Sequence, residues 1–271
     1  MRNICYLMMS LVLSLTALSS HAGEIKKMKL EHPIYGLTEV VYEEMSGYAV
    51  VEDDIILKKL SSNNLAPQAS IIKLRTNYWP QGIIPYKIDP NLPAANRDAV
   101  IDAIALWEKS TFVKFVPLTD ENQANYPDYV VFMPDGGKMC SSYVGRNGGK
   151  QYVLLSSRCT KMITAHELGH ILGLWHEQSR MDRDNYVRIL WENIDDRKKY
   201  NFDQHLTDGV DHGPYNYQSI MHYSPYAFSK NGEKTIVPLV DDVTIGQRDE
   251  ISPLDIEAVK TLYPERAIKD E

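Results

Sequence analysis

The stretch His166-Glu167-Leu168-Gly169-His170-Ile171-Leu172-Gly173-Leu174-Trp175-His176-Glu177 restricts this chain more than any other. On a helix, His166 and His170 lie one turn apart on the same face, so two imidazole nitrogens can reach a single metal ion. Glu167, beside the first of them, can address a water at that ion. His176 lies too far along to share the face of a straight helix, so the chain must turn. Gly173 supplies the turn, because glycine reaches left-handed backbone angles without steric cost and commonly follows a helix C-terminus. With the helix ended there, His176 can swing back as a third ligand. One coordination position stays open, the feature that separates a catalytic zinc from a closed structural one.

An ordinary amphipathic helix accounts for two histidines at this spacing. It does not account for a third histidine at a fixed offset together with a glycine at the turn. With a later methionine turn, this is the metzincin pattern. The sequence therefore predicts one Zn2+ per chain, held by His166, His170 and His176, with Glu167 as general base.

Composition narrows the rest. The 271 residues suit one large domain or a smaller one with appendages, and the formal charge of -7 argues against nucleic acid as a partner. Arg2, the apolar run Ile4 to Leu18 and Ser20-His21-Ala22 read as a signal peptide over residues 1–22. Export implies an oxidising compartment: extracellular, or periplasmic in a Gram-negative bacterium. Once Cys5 is removed, Cys140 and Cys159 remain and are expected to pair, a bridge worth roughly 3 kcal/mol on loop-closure grounds. The apolar run is too short to predict a membrane anchor.

Residues 23–69 read as a pro-segment: charged, with acidic clusters Glu43-Glu44 and Glu52-Asp53-Asp54, strand-like runs Tyr48 to Val51 and Ile55 to Leu57, and a linker near Ser61 to Gln68. A carboxylate of this segment, Asp53 or Asp54, could occupy the open metal position. Residues 70–271 read as the peptidase domain. Gly82 to Ile88 is a strand whose Pro85 suggests an edge or bulge. Asn96 to Lys109 is a helix capped by Asn96, with Val100, Ile104 and Trp107 on its core stripe. Phe112 to Val116 and Tyr129 to Met133 are strands. Cys140 to Val144 and Tyr152 to Leu155 form a hairpin feeding the histidine helix, and its exposed strand could pair with an extended peptide. Pro253 to Tyr263 closes the chain as a helix, with no further domain expected.

Glu177 after the third histidine, the run Arg180-Met181-Asp182-Arg183-Asp184-Asn185-Tyr186, Ser219-Ile220-Met221-His222-Tyr223 and Cys140-Ser141-Ser142-Tyr143-Val144-Gly145 together resemble the astacin family of zinc endopeptidases. The likeness runs from about Tyr78 to Tyr263. It implies an α+β, zincin-like domain of two subdomains, with a twisted mixed sheet, an active-site helix and a less regular C-terminal part. By position it implies His166, His170 and His176 as ligands, Glu167 as catalytic, and Met221 in the methionine turn beneath them. Tyr223 matches a tyrosine that ligates resting zinc and swings to stabilise the transition state. Glu177 matches the residue that meets the mature amino terminus, here expected near Ser70.

The family's pro-segment caps zinc through a Phe-x-Gly-Asp pattern, against which Val51-Glu52-Asp53-Asp54 aligns, making Asp54 the switch. Val51 replaces the phenylalanine and Asp53 the glycine, which puts the tight turn in question. A second family disulfide is missing, since Phe112 stands where one partner would be. The expected activity is hydrolysis of protein or peptide substrates bound in extended form, by a monomer made as a latent precursor. The competing reading is a catalytically silent, zinc-stabilised extracellular binding module, for which a retained Glu167 has no use.

Overall fold

A computed structural model of the chain describes residues 23–32, 36–60, 77–205 and 209–265. The signal-peptide reading, the linker after Leu60 and the maturation point near Ser70 fall outside these residues. Among them, no helix is long and apolar enough to cross a membrane.

Eleven strands and three α-helices make up the regular structure of the described residues. In chain order they are β1 Glu24–His32, β2 Gly36–Met45, β3 Tyr48–Val51, β4 Ile55–Lys59, β5 Ile83–Ile88, α1 Ala94–Ser110, β6 Lys114–Pro117, β7 Tyr129–Pro134, β8 Cys140–Ser142, β9 Lys150–Leu155, α2 Lys161–Ile171, β10 Val187–Ile189, β11 Ile236–Pro238 and α3 Pro253–Leu262. Nine strands join in one mixed sheet of order β1-β2-β3-β4-β8-β9-β7-β5-β6. Strands β6, β5, β7 and β9 run parallel; β8 returns antiparallel to β9, as the hairpin reading expected. This is the α+β arrangement anticipated from sequence.

The core lies between the parallel strands and helices α1 and α2. Ile84, Val130, Phe132 and Val153 meet Val100, Ala103 and Trp107 of α1 and Ala165, Leu168 and Ile171 of α2. Alternation along the strands and near-fourfold spacing along the helices aim these side chains inward.

Three local expectations change. Strand β5 is internal, flanked by β6 and β7, but Pro85 precedes Tyr86, where pairing with β7 begins, so the missing amide breaks no bond on that side. Helix α1 starts at Ala94, before Asn96, with Pro93 (φ -55°, ψ 148°) at the N-cap and its carbonyl accepting from the Arg97 amide at 3.0 Å. Asn96 is instead buried inside the first turn, donating to the Ser156 carbonyl at 2.9 Å. The acidic N-terminal region supplies four strands where two were legible. Strands β1 and β2 are rich in charge, with ion pairs such as Lys26–Glu44, and the doublets Lys26-Lys27, Val40-Val41 and Glu43-Glu44 interrupt the twofold apolar period that reveals a strand.

These four strands are tied into the main sheet. Ile55 of β4 pairs with Ser142 of β8, and Tyr48, Val50 and Ile56 pack on Met139, Tyr143 and Leu154. Cys140 and Cys159 are joined by a disulfide, their Cα atoms 5.8 Å apart, linking the start of β8 to the approach of α2. Phe112 meets α3 through Lys260, whose ammonium sits 5.8 Å from its ring centroid. The C-terminal part is less regular. A second core of Val187, Ile189, Phe202, Tyr215, Tyr223 and Ile236 lies under the β10–β11 pair.

Candidate metal centre

Helix α2 carries the histidine pair and is held by two tryptophans, one at its middle and one at its C-terminal end. Trp107 Nε1 of α1 donates to the Ala165 carbonyl at 2.9 Å, and Trp79 Nε1 donates to the Ile171 carbonyl at 2.8 Å. The second bond satisfies one of the carbonyls that a helix C-terminus leaves open. Gly173 has φ 108°; its amide reaches the His170 carbonyl at 2.7 Å, and the Leu174 amide reaches that of Gly169 at 2.9 Å. This left-handed exit reverses the chain and returns His176 beneath the helix.

Each histidine uses Nδ1 on an acceptor outside the cluster. His166 Nδ1 lies 2.8 Å from the Ile220 carbonyl, His170 Nδ1 2.8 Å from the Leu174 carbonyl, and His176 Nδ1 2.6 Å from Glu52 Oε2. A carbonyl can only accept, so Nδ1 of His166 and His170 carries the proton and a neutral ring presents an Nε2 lone pair. The three Nε2 atoms and a carboxylate oxygen of Asp54 all lie within 4.8 Å of one another. His170 Nε2, His176 Nε2 and Asp54 Oδ1 are buried with no hydrogen-bond partner among the described residues. Lone pairs crowded together in a dry site are costly unless a cation lies among them. The donor set, three imidazole nitrogens and one carboxylate, is what zinc takes in tetrahedral geometry.

Asp54 comes from the β3–β4 turn. Its Oδ2 lies 3.0 Å from His166 Nε2, and its Oδ1 3.5 Å from His170 Nε2 and 3.3 Å from His176 Nε2. Burial opposes its ionisation, but the facing imidazoles, His176 foremost, hold the carboxyl well below its ordinary range. Asp53 has φ 72° and so adopts the left-handed conformation that a glycine would take more cheaply. The turn questioned at sequence level is thus made by an aspartate. Glu52 precedes it at φ 50°.

Glu167 is buried beside the first imidazole, its Oε2 unpartnered among the described residues. Burial and the Asp54 charge push its carboxyl well above the usual range. Tyr223 packs its ring 4.6 Å from that of His176, while its hydroxyl donates to the Glu52 carbonyl at 2.7 Å. Met221 is buried against α2 so closely that a Cβ on Gly169 would lie 2.6 Å from its Sδ. Glu177 Oε1 accepts from the Asn216 amide at 2.7 Å and borders a cavity of about 270 Å³. Burial, against the pull of Arg180, raises the Glu177 carboxyl to about 8.

Two contributors were not visible in the sequence. Glu52, read only as part of an acidic cluster, contacts the third histidine directly. Asp255 holds the methionine turn from α3: Oδ1 accepts from Ser219 Oγ at 2.6 Å and Oδ2 from the Ile220 amide at 2.9 Å. The spacing Ser252-x-x-Asp255 signals the capping box at which α3 begins, but not this tertiary contact.

A helix presenting two imidazoles, a third returned by a glycine exit, a neighbouring buried carboxylate and a methionine turn beneath define a zinc peptidase of the metzincin kind. Residues 71–264 match the family model described as Astacin, a peptidase family. Zinc metalloproteinase nas-13 of Caenorhabditis elegans is 43% identical over 188 residues, covering 68% of this chain and 40% of that protein. Zinc metalloproteinase nas-4 of the same organism is 38% identical over 224 residues, covering 78% and 68% respectively. The chain thus spans less than half the length of the first of these relatives. Among solved structures, high choriolytic enzyme 1, a hatching enzyme zinc-protease from the medaka fish Oryzias latipes, superposes with a TM-score of 0.63 at 36% identity, over 70% of this chain and 96% of that one. The chain belongs to the astacin family of zinc metalloendopeptidases, and zinc is the metal that its cluster suits.

Proposed function

We propose that this chain is a secreted zinc endopeptidase made as a latent precursor, with a signal peptide over 1–22, a pro-segment over 23–69 and a peptidase domain over 70–271. The observation that carries the reading is the convergence of three Nε2 lone pairs beside a buried, unpartnered Glu167 oxygen. His166, His170 and His176 would hold the ion. When bound, zinc lowers the pKa of water from about 15.7 towards about 7 and polarises a peptide carbonyl.

The residues supply the rest. The Glu167 carboxylate takes the proton of the attacking water and delivers it to the leaving amine nitrogen. Tyr223 Oη, once separated from the Glu52 carbonyl, donates a hydrogen bond to the oxygen on which negative charge develops. An extended substrate would pair along β8. In this chain β4 already lies there, with the Ser142 amide donating to the Asp54 carbonyl at 2.9 Å. Asp54 on the imidazoles and β4 on the sheet edge both support latency. Glu177 and its cavity suit an ammonium group, which supports their reading as the seat of the mature terminus.

The deciding experiment is Glu167→Ala in processed protein. It should keep one zinc per chain while cleavage of casein or a quenched peptide falls by about 10²- to 10⁴-fold, the contribution of a general base. Unchanged turnover would defeat the mechanism. Zinc-bearing wild-type protein with no cleavage at all would favour a silent binding module instead.

A further inference from the structure

Glu52 is buried to 4% exposure, and every polar group it owns is met from outside its own segment. Oε2 lies 2.6 Å from His176 Nδ1; Oε1 lies 2.6 Å from His205 Nε2 and 3.1 Å from Ser179 Oγ. Its amide donates to Asn201 Oδ1 at 2.8 Å, and its carbonyl accepts from Tyr223 Oη at 2.7 Å. The receiving groups are themselves positioned. The His205 ring stacks on Trp175 with centroids 3.9 Å apart, and the His205 amide donates to the Ser179 carbonyl at 2.8 Å. A glutamate at φ 50° is disfavoured by its own backbone and persists where surroundings over-determine it.

We propose that Ser179, His205 and the Nδ1 side of His176 form a carboxylate-binding subsite distinct from the metal position. In the precursor Glu52 fills it, as a second anchor of the pro-segment. The proposal rests on the latent-precursor reading and deepens it. The Phe-x-Gly-Asp resemblance assigns a role to Asp54 and leaves the Glu52 position open. Asp54 draws its hold from the metal position. The contacts of Glu52 with His205 and Ser179 do not involve that position, so they persist when zinc is removed. They also offset the departures at Val51 and Asp53, which weaken the turn presenting Asp54.

The test uses the full-length chain as wild type, Glu52→Gln, Asp54→Ala, the double variant, and His205→Phe, which keeps an aromatic ring on Trp175 and removes Nε2. Two readouts are taken: peptide turnover by the unprocessed, zinc-loaded chain, and limited proteolysis of residues 23–60 after zinc is stripped. The stripped wild type should stay protected. Stripped Glu52→Gln and His205→Phe should be cut about tenfold faster or more, the change expected on losing a hydrogen bond to a charged group. In the loaded chain the double variant should turn over more peptide than Asp54→Ala alone. Stripped Glu52→Gln and His205→Phe as resistant as wild type would overturn the subsite. Loaded Asp54→Ala as silent as wild type would instead overturn latency through Asp54, whatever the proteolysis shows.

Discussion

His166 donates its Nδ1 proton to the main-chain carbonyl of Ile220 across 2.8 Å, so the methionine turn sets the tautomer and the aim of the first ligand. The Ile220 amide is in turn held by Asp255 Oδ2 at 2.9 Å, and Asp255 caps α3 through the Ser252 amide at 3.1 Å. The C-terminal helix therefore reaches the metal position through the backbone of one residue, Ile220. Partners at this remove fix the orientation of a ligating ring, and losing one typically weakens metal binding by about 10- to 100-fold.

Asp255→Ala removes the acceptor for the Ser219 hydroxyl, the Ile220 amide and the Ser252 amide together. Leaving buried donors unpaired should cost about 2 to 4 kcal/mol of unfolding free energy, measured by denaturant titration. Zinc affinity, measured by competition with a chromophoric chelator, should fall about tenfold or more. Unaltered zinc affinity in a destabilised protein would reduce Asp255 to a plain helix cap.

Gly169→Ala tests the contact between α2 and the methionine turn. The new Cβ would meet Met221 Sδ at 2.6 Å, closer than two such atoms can sit, so the buried Met221 side chain must shift. Overpacking of this kind should cost about 1 to 3 kcal/mol, despite the better helix propensity of alanine. A gain in melting temperature would mean that the turn yields freely.

Removal of zinc by a chelator should abolish peptide cleavage, and added zinc should restore it. Zinc at about one hundred times its Kd should stabilise the fold by about 2.7 kcal/mol over the stripped form, readable as a shift in thermal unfolding. Equal unfolding temperatures with and without zinc would mean that the three imidazoles do not hold it in the folded state.

Much of this could be read without coordinates because the signals were local. Spacing within one helix put His166 and His170 on one face, and the Gly173 exit for His176 follows from backbone sterics. The apolar stripe Val100, Ile104 and Trp107 announced α1 by its period. Strands β1 and β2 were illegible because charged doublets such as Lys26-Lys27 and Glu43-Glu44 break the twofold apolar period, although Lys27 forms an ion pair with Glu39 across the two strands. The start of α1 was misread because Asn96 looks like a cap, whereas its amide serves a carbonyl far along the chain.

Local chemistry, then, fixed which side chains could bind a metal, since ligand spacing on a helix and a glycine's freedom are properties of a few consecutive residues. Only the folded chain decided which acceptor each Nδ1 would find and that Glu52 would settle against His205; for the carboxylate that meets the imidazoles, the residues by themselves left Asp53 and Asp54 open, and the family resemblance pointed to Asp54. The meeting of Glu52 with His205 joins residues 153 positions apart. No pattern short enough to be read along the chain can specify a meeting that depends on how the sheet, the helices and the turns pack together.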